Sequence, residues 1–239
     1  MGTIGCVAGN PPQVSVVIPT YNRSNLLSRA LRSATRQEID TVEFIVVDDG
    51  STDSTCDVVN AAIEIDPRIR YIYQDNQGPA GARNSGMVVS VGKYVTFLDS
   101  DDEYLPTHLS LRTEFMDMRS DIQMIHGGLE VVNGSSMVPD FYRPGEMIDL
   151  RECAVGATFF FRRSMIDLVG LFEHREYGED TEYFARAQKL AKVERVHWPT
   201  YRYFRNTSNS IVSAEIQRNA DNDIRMVELG GIEPPSISR

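Results

Sequence analysis

The 239-residue chain predicts an α/β fold: a Rossmann-like, mostly parallel sheet with helices on both faces, continued by a mixed second half. Three observations carry this. Short apolar runs rich in β-branched residues recur at 14–18, 42–47 and 94–98, too short for ordinary helices, and read as buried strands. Segments of helical spacing separate them, so the strands should be parallel and joined by right-handed crossovers. Each run ends in a polar cluster: Pro19-Thr20-Tyr21-Asn22-Arg23, Asp48-Asp49-Gly50-Ser51 and Asp99-Ser100-Asp101-Asp102. Because ligands of open parallel sheets bind outside the carboxyl ends of the strands, all three clusters are expected on one rim.

Behind the first cluster, Leu26, Leu27, Ala30, Leu31 and Ala34 recur at helical spacing, with Ser24 as the expected N-cap. After the second, Ser51, Thr52 and Asp53 offer caps for a helix whose inner face carries Val58, Val59, Ala62 and Ile63. Pro67 precedes a third strand over 69–73, residues 74–79 form a turn, and 80–91 read as a helix stopping at Gly92. From Pro106 the pattern changes to a helix ending near Met118, a strand near 122–125, and an Asn133-Gly134 pair that predicts a tight hairpin. A strand over 157–161, a short helix over 164–169, a longer one over 180–191 and an aromatic, arginine-rich stretch over 198–205 follow. The expected organisation is a tail over 1–13, one domain over 14–212 whose halves meet at 103/104, and a helix and mobile tail over 213–239.

A hydrophobic content of 41% suffices for one sizeable core, while a formal charge of −10 argues against nucleic acid as partner. A small anion remains compatible, provided that a metal ion and a few arginines make a local positive site. Cys6, Cys56 and Cys153 are isolated and odd in number, which supports neither a disulfide framework nor a zinc site and favours a reducing cytoplasm. No run reaches the roughly 18 apolar residues of a membrane span, and the first residues lack the pattern of a signal peptide.

The acids of Asp99-Ser100-Asp101-Asp102 suit magnesium or manganese, hard cations held by one or two carboxylates together with substrate phosphates. They equally suit a chain turn and a helix cap. Asp48 and Asp49 read alone as an Asx turn; beside Tyr21, whose ring can stack on a base, a carboxylate there reads as part of a nucleoside pocket. Arg83, in Gly78-Pro79-Ala80-Gly81-Ala82-Arg83-Asn84, is either a surface arginine or, in a loop opening a helix, a phosphate partner. In Tyr177-Gly178-Glu179-Asp180-Thr181-Glu182 the acids complement a helix dipole. Periodicity puts Asp180 on the face of Tyr183, Phe184 and Ala187, pointing inward as a general base would, and Glu179 toward solvent. The four histidines show no ligand spacing and read as structural or surface residues; Arg202 and Arg205 are placed to close over an anion.

Taken in order, VSVVIPTYNR, IVVDDGSTD, GPAGARN, FLDSDD and GEDTEY resemble the motifs of glycosyltransferase family 2, the inverting nucleotide-sugar enzymes of the GT-A fold, over about 14–213. The resemblance implies a metal-dependent transferase moving a sugar from a nucleoside diphosphate, with UDP the expected nucleotide, to a hydroxyl of a saccharide, a lipid-linked or another acceptor. It makes 14–103 the nucleotide-sugar half and 104–212 the acceptor half. The donor-binding set it implies is Pro19, Thr20, Tyr21, Asn22, Arg23, Asp48, Asp49, Arg83, Asp99 and Ser100, with Asp101 and Asp99 at a Mn2+ or Mg2+ ion and Asp180 as the base. Polysaccharide or glycolipid assembly, in the cytoplasm or peripherally at the inner face of a membrane, is the implied setting. Many relatives carry a late histidine that approaches the metal; here the stretch reads Phe204-Arg205-Asn206-Thr207, so that either Asn206 or Thr207 substitutes or the contact is missing. Two rivals remain: a nucleotide-sugar-binding module without catalysis, and a phospho-receiver domain, which IVVDD also resembles.

Overall fold

The computed structural model describes residues 11–39, 41–143, 145–175 and 178–205; the expected segment 213–239 and residues 1–10 of the expected tail lie outside the described residues. In chain order the elements are β1 (Val14–Thr20), α1 (Ser24–Thr35), β2 (Val42–Asp48), α2 (Thr55–Ile65), β3 (Ile69–Tyr73), α3 (Gly78–Val89) and β4 (Tyr94–Phe97). The second half adds β5 (Glu103–Tyr104), α4 (His108–Met118), β6 (Met124–His126), β7 (Leu129–Val132), β8 (Met137–Pro139), β9 (Met147–Asp149) and β10 (Phe160–Arg162). It closes with α5 (Met165–Val169), α6 (Glu179–Leu190), β11 (Val193–Arg195) and β12 (Tyr201–Phe204).

The main sheet has the order β11-β6-β10-β4-β1-β2-β3. β1 lies between β2 and β4 and runs parallel to both, with Val14 opposite Val42 and Tyr94. The chain therefore leaves β1 toward β3 and returns to its other side through β4, which opens a crevice at the carboxyl ends where the direction switches. β10 is antiparallel to β4 and β6, giving the mixed second half. Period-two alternation explains why both faces are covered. Val14, Val16 and Ile18 enter one core with Leu27, Val59 and Leu109, whereas Val17 enters the other with Ala80, Met87 and Tyr183.

α3 packs closely on β1 because Gly86 has no side chain: a Cβ there would lie 2.8 Å from Val17 Cγ2 and 3.1 Å from its Cβ. Valine is stiff at χ1 and cannot swing away. Gly86→Ala is therefore expected to lower stability by about 1–3 kcal/mol, the usual cost of overpacking, read as a shifted urea midpoint with an unchanged slope.

Two local expectations need correction. Asn133-Gly134 does bend the chain, with Asn133 at φ 58°, but it does not close a hairpin. β7 pairs with β12, and β8 with β9. Beside β12, Leu129 and Val131 pack into the core with Tyr201 and Tyr203, which Val138 of β8 joins while paired with Ile148 of β9. Ser24 is the first residue of α1 rather than its cap; its N–H is taken by Asp53 Oδ2 at 3.1 Å, from the loop after β2.

Candidate active site

The three strand tips, α3, the β8–β9 hairpin and the start of α6 enclose one cavity of about 770 Å³, within the range of small-molecule sites. Pro19, Thr20, Tyr21, Asn22, Arg23, Asp49, Arg83, Asp99, Ser100, Asp101 and Asp180 all line it. Asp48 does not. It ends β2 with its side chain turned into the fold, where Oδ1 accepts the Ser51 N–H (2.8 Å) and Oδ2 accepts the Tyr71 hydroxyl (2.7 Å).

At the tips of β1 and β2, Tyr21 is half exposed at the cavity wall while its neighbours are fixed. Asn22 adopts φ 49°, a left-handed conformation that asparagine tolerates. Its N–H donates to Ser51 Oγ and its Oδ1 accepts the Thr52 N–H, both at 2.8 Å, which ties the first tip to the second. Asp49 caps α3: Oδ1 accepts from Gln74 Nε2 (2.7 Å) and the Gln77 N–H (2.9 Å), and Oδ2 accepts the Gly78 N–H (2.8 Å). A carboxylate has about four lone-pair sites, so roughly one is left for the cavity. Thr20 Oγ1, buried in the same wall, has no hydrogen-bond partner among the described residues.

Arg83 joins the two halves of the site. It lies within α3 rather than in the loop before it, and is buried. Its Nη2 donates to Asp99 Oδ1 at 3.0 Å and its Nη1 to Glu179 Oε1 at 2.8 Å. Burial works against its charge, but the Asp99, Glu179 and Asp180 carboxylates overcome this and hold the guanidinium protonated. Glu179 consequently faces the cavity rather than solvent. Arg23 lies 3.5 Å from Asp101, and Arg29 Nη2 donates to the Asp101 carbonyl. Asp102 is buried beneath this cluster, accepting the Tyr201 hydroxyl (2.7 Å) and the Phe204 N–H (2.8 Å). Burial, then Asp99 and Asp101, push its carboxyl up.

Asp180 stands at the start of α6. Its Oδ2 accepts the Gly156 N–H (3.0 Å) and its Oδ1 the Thr181 N–H (2.8 Å), so its orientation is set by backbone. Gly156 permits this approach, since a Cβ there would lie 3.0 Å from Asp180 Cβ. Burial, followed by the neighbouring Glu179 charge, pushes the carboxyl up to about 6, against the opposing pull of Gly156 and Arg83. Such a group is ionised near neutrality yet basic enough to take a proton.

Asp99 and Asp101 keep 25% and 20% of their side chains exposed on the cavity wall. Two hard oxygen donors fit a magnesium- or manganese-like ion that takes its other ligands from substrate phosphates. Among the described residues no group of three or more His, Cys, Asp or Glu could hold a metal without substrate. Asn206 and Thr207 lie outside the described residues. Arg202 is engaged by Glu130 (3.3 Å) and Glu103 (3.8 Å) instead of standing over an anion. The aromatic tip Phe141-Tyr142 also lines the cavity and is invisible to motif reading, because its hairpin partner strand cannot be read from sequence spacing.

Comparison with known proteins agrees with this geometry. Residues 15–167 match the model of Glycosyl transferase family 2. An uncharacterized glycosyltransferase of Haemophilus influenzae is 38% identical over 119 residues, 49% of this chain and 47% of that protein. The UDP-Glc:alpha-D-GlcNAc-diphosphoundecaprenol beta-1,3-glucosyltransferase WfgD of Escherichia coli is 30% identical over 170 residues, 68% of this chain and 66% of that protein. The chain thus spans about half to two thirds of these relatives' length. The structure of S. aureus TarS 1-349 in complex with UDP-GlcNAc superposes with a TM-score of 0.70 at 22% identity, covering 84% of this chain and 61% of that one, which establishes the GT-A fold. The receiver alternative falls with these matches. The ordered motifs, the crevice that gathers them and the family match agree: the chain belongs to glycosyltransferase family 2.

Proposed function

We propose that the chain is a metal-dependent, inverting transferase that moves a sugar from a UDP-sugar to an acceptor hydroxyl in polysaccharide or glycolipid assembly. One observation carries this reading: five sequence-distant motifs converge on a single cavity with Tyr21 and Asp49 at one end and Asp180 at the other. In this reading Tyr21 stacks on the base, while Asp49 and the unpartnered Thr20 hydroxyl meet nucleoside hydrogen bonds. Asp99 and Asp101 hold the divalent ion, which when bound supplies charge neutralisation for a leaving diphosphate. Asp180, oriented by Gly156 and Thr181, accepts the proton of the attacking hydroxyl. Among the described residues no helix is long and apolar enough to cross a membrane. The lipid-diphosphate substrate in the name of the E. coli relative supports peripheral work at a membrane surface.

The test is release of the nucleoside diphosphate from a panel of UDP-, GDP- and dTDP-sugars with manganese; release confined to UDP-sugars is expected. Binding of UDP with no release from any donor and acceptor pair would favour the non-catalytic module. Asp101→Ala is expected to abolish the manganese dependence of UDP binding in calorimetry with and without chelator. A retained dependence would remove Asp101 from the ion site.

A further inference from the structure

Asp99 and Asp101 come from one short loop, and its backbone is held by two side chains that belong to none of the five motifs. Tyr201 of β12 is fully buried; its hydroxyl accepts the Asp99 N–H at 3.3 Å and donates to Asp102 Oδ2 at 2.7 Å. Arg29 of α1 donates from Nη2 to the Asp101 carbonyl, and its Nε lies 3.5 Å from Glu103 Oε1. Its guanidinium also stands 3.8 Å from the centre of the Phe204 ring. One residue therefore holds the loop at Asp99 and the other at Asp101. Neither lines the cavity, whereas both of the acids they hold do.

Packing does not account for the Tyr201 hydroxyl. The ring meets Tyr104 and His108 edge to face, with centroids 5.7 Å and 5.9 Å away, contacts that phenylalanine makes without a polar atom to bury. Among the described residues, both hydrogen bonds of the hydroxyl go to the acid loop. The strand that carries it is fixed, since Tyr201 is opposite Tyr104 of β5 and Leu129 of β7. Arg29 is equally specific in shape, because a planar fork reaches a carbonyl, a carboxylate and a ring together and a lysine cannot. The acids they serve form a sparse site. With no group of three His, Cys, Asp or Glu ligands among the described residues, affinity depends on how well two carboxylates are held.

Resting on the ion-site reading above, we propose that Tyr201 and Arg29 are positioning residues for the divalent ion, pinning the Asp99 N–H and the Asp101 carbonyl and with them the spacing of the two carboxylates. The ion site is then built by β12 and α1 as much as by the loop that supplies its ligands.

The experiment is calorimetric titration of the full chain with UDP, at a series of manganese concentrations and with chelator, alongside thermal unfolding. Tyr201→Phe should cut the manganese-dependent gain in UDP affinity about tenfold, the usual scale for groups that orient metal ligands, and leave affinity in chelator within about twofold. Arg29→Met should do the same, and Arg29→Lys should recover part of the gain. The two residues lie on different elements, so misfolding of one variant leaves the other as the test. Tyr104→Phe is the control: it removes a hydroxyl from the same ring cluster, but one that donates to the Phe97 carbonyl. It should lower the unfolding midpoint and keep the manganese dependence. Folded Tyr201→Phe and Arg29→Met variants with the full manganese dependence would overturn the proposal, whatever their stability. An equal loss in Tyr104→Phe would overturn it too, since general loosening would then suffice. If the unsubstituted chain binds UDP without manganese dependence, or not at all, the ion or donor reading fails and the inference with it.

Discussion

Asp180→Asn is expected to lower turnover by about 10²- to 10⁴-fold, the usual contribution of a general base, with the affinity for UDP unchanged. The separation follows from the site. Asp180 lies on α6, across Arg83 and Glu179 from Asp99, and among the described residues its carboxylate hydrogen-bonds only to Gly156 and Thr181. Asparagine has the same shape but one acceptor oxygen in place of two, so it keeps one of these backbone bonds and cannot take a proton. The pH profile offers an independent check. Burial and Glu179 raise the carboxyl to about 6, so below that pH the base carries a proton and is idle. Turnover should therefore climb as pH rises through about 6 and level off above it. Initial rates of UDP release from pH 4.5 to 8, alongside calorimetric UDP binding, give both readings. Full turnover in Asp180→Asn, or a rate flat across pH 6, would remove Asp180 from proton transfer.

The gathering of the strand tips into one cavity was legible because its signals are local. A strand buried on both faces must be a short apolar run, and the residues just past it must be the tips. Parallel topology then gathers Tyr21, Asp49 and Asp101 without any contact being known. The misreadings share one cause, a partner arriving from far along the chain. Helical periodicity in α6 aligns Glu179 with Glu182 and Arg186, a charged row that reads as facing solvent. It cannot report that Arg83, 96 residues earlier, arrives from α3 to meet it. Asp48 and Asp49 look interchangeable in a DDG sequence, yet strand alternation separates them: Asp48 turns onto the face of Tyr71, and Asp49 leaves the strand to cap α3. The hairpin expected at Asn133-Gly134 failed likewise, since a turn signal says where the chain bends but not which strand pairs with which.

Arg83→Met is expected to be the most destructive single change to the site, because it removes the one charge that Asp99 and Glu179 share. Methionine fills much of the volume, so the loss is electrostatic rather than a cavity. Two carboxylates, 25% and 14% exposed, would be left without their partner, with Asp180 close by. Breaking a buried pair costs about 3–5 kcal/mol; the partial exposure of Asp99 places this variant at about 3 kcal/mol, or roughly 6–12 °C in Tm for a domain of this size. Loss of Arg83 also removes a charge that holds the Asp180 carboxyl down, so the acidic limb of the rate profile should move to higher pH. Arg83→Lys restores the charge but not the fork that spans two carboxylates, and should recover only part of both effects. Urea unfolding and the pH profile separate these outcomes. An unchanged midpoint in Arg83→Met would show that Asp99 and Glu179 are solvated well enough to need no shared cation, and that the two halves of the site are joined by packing alone.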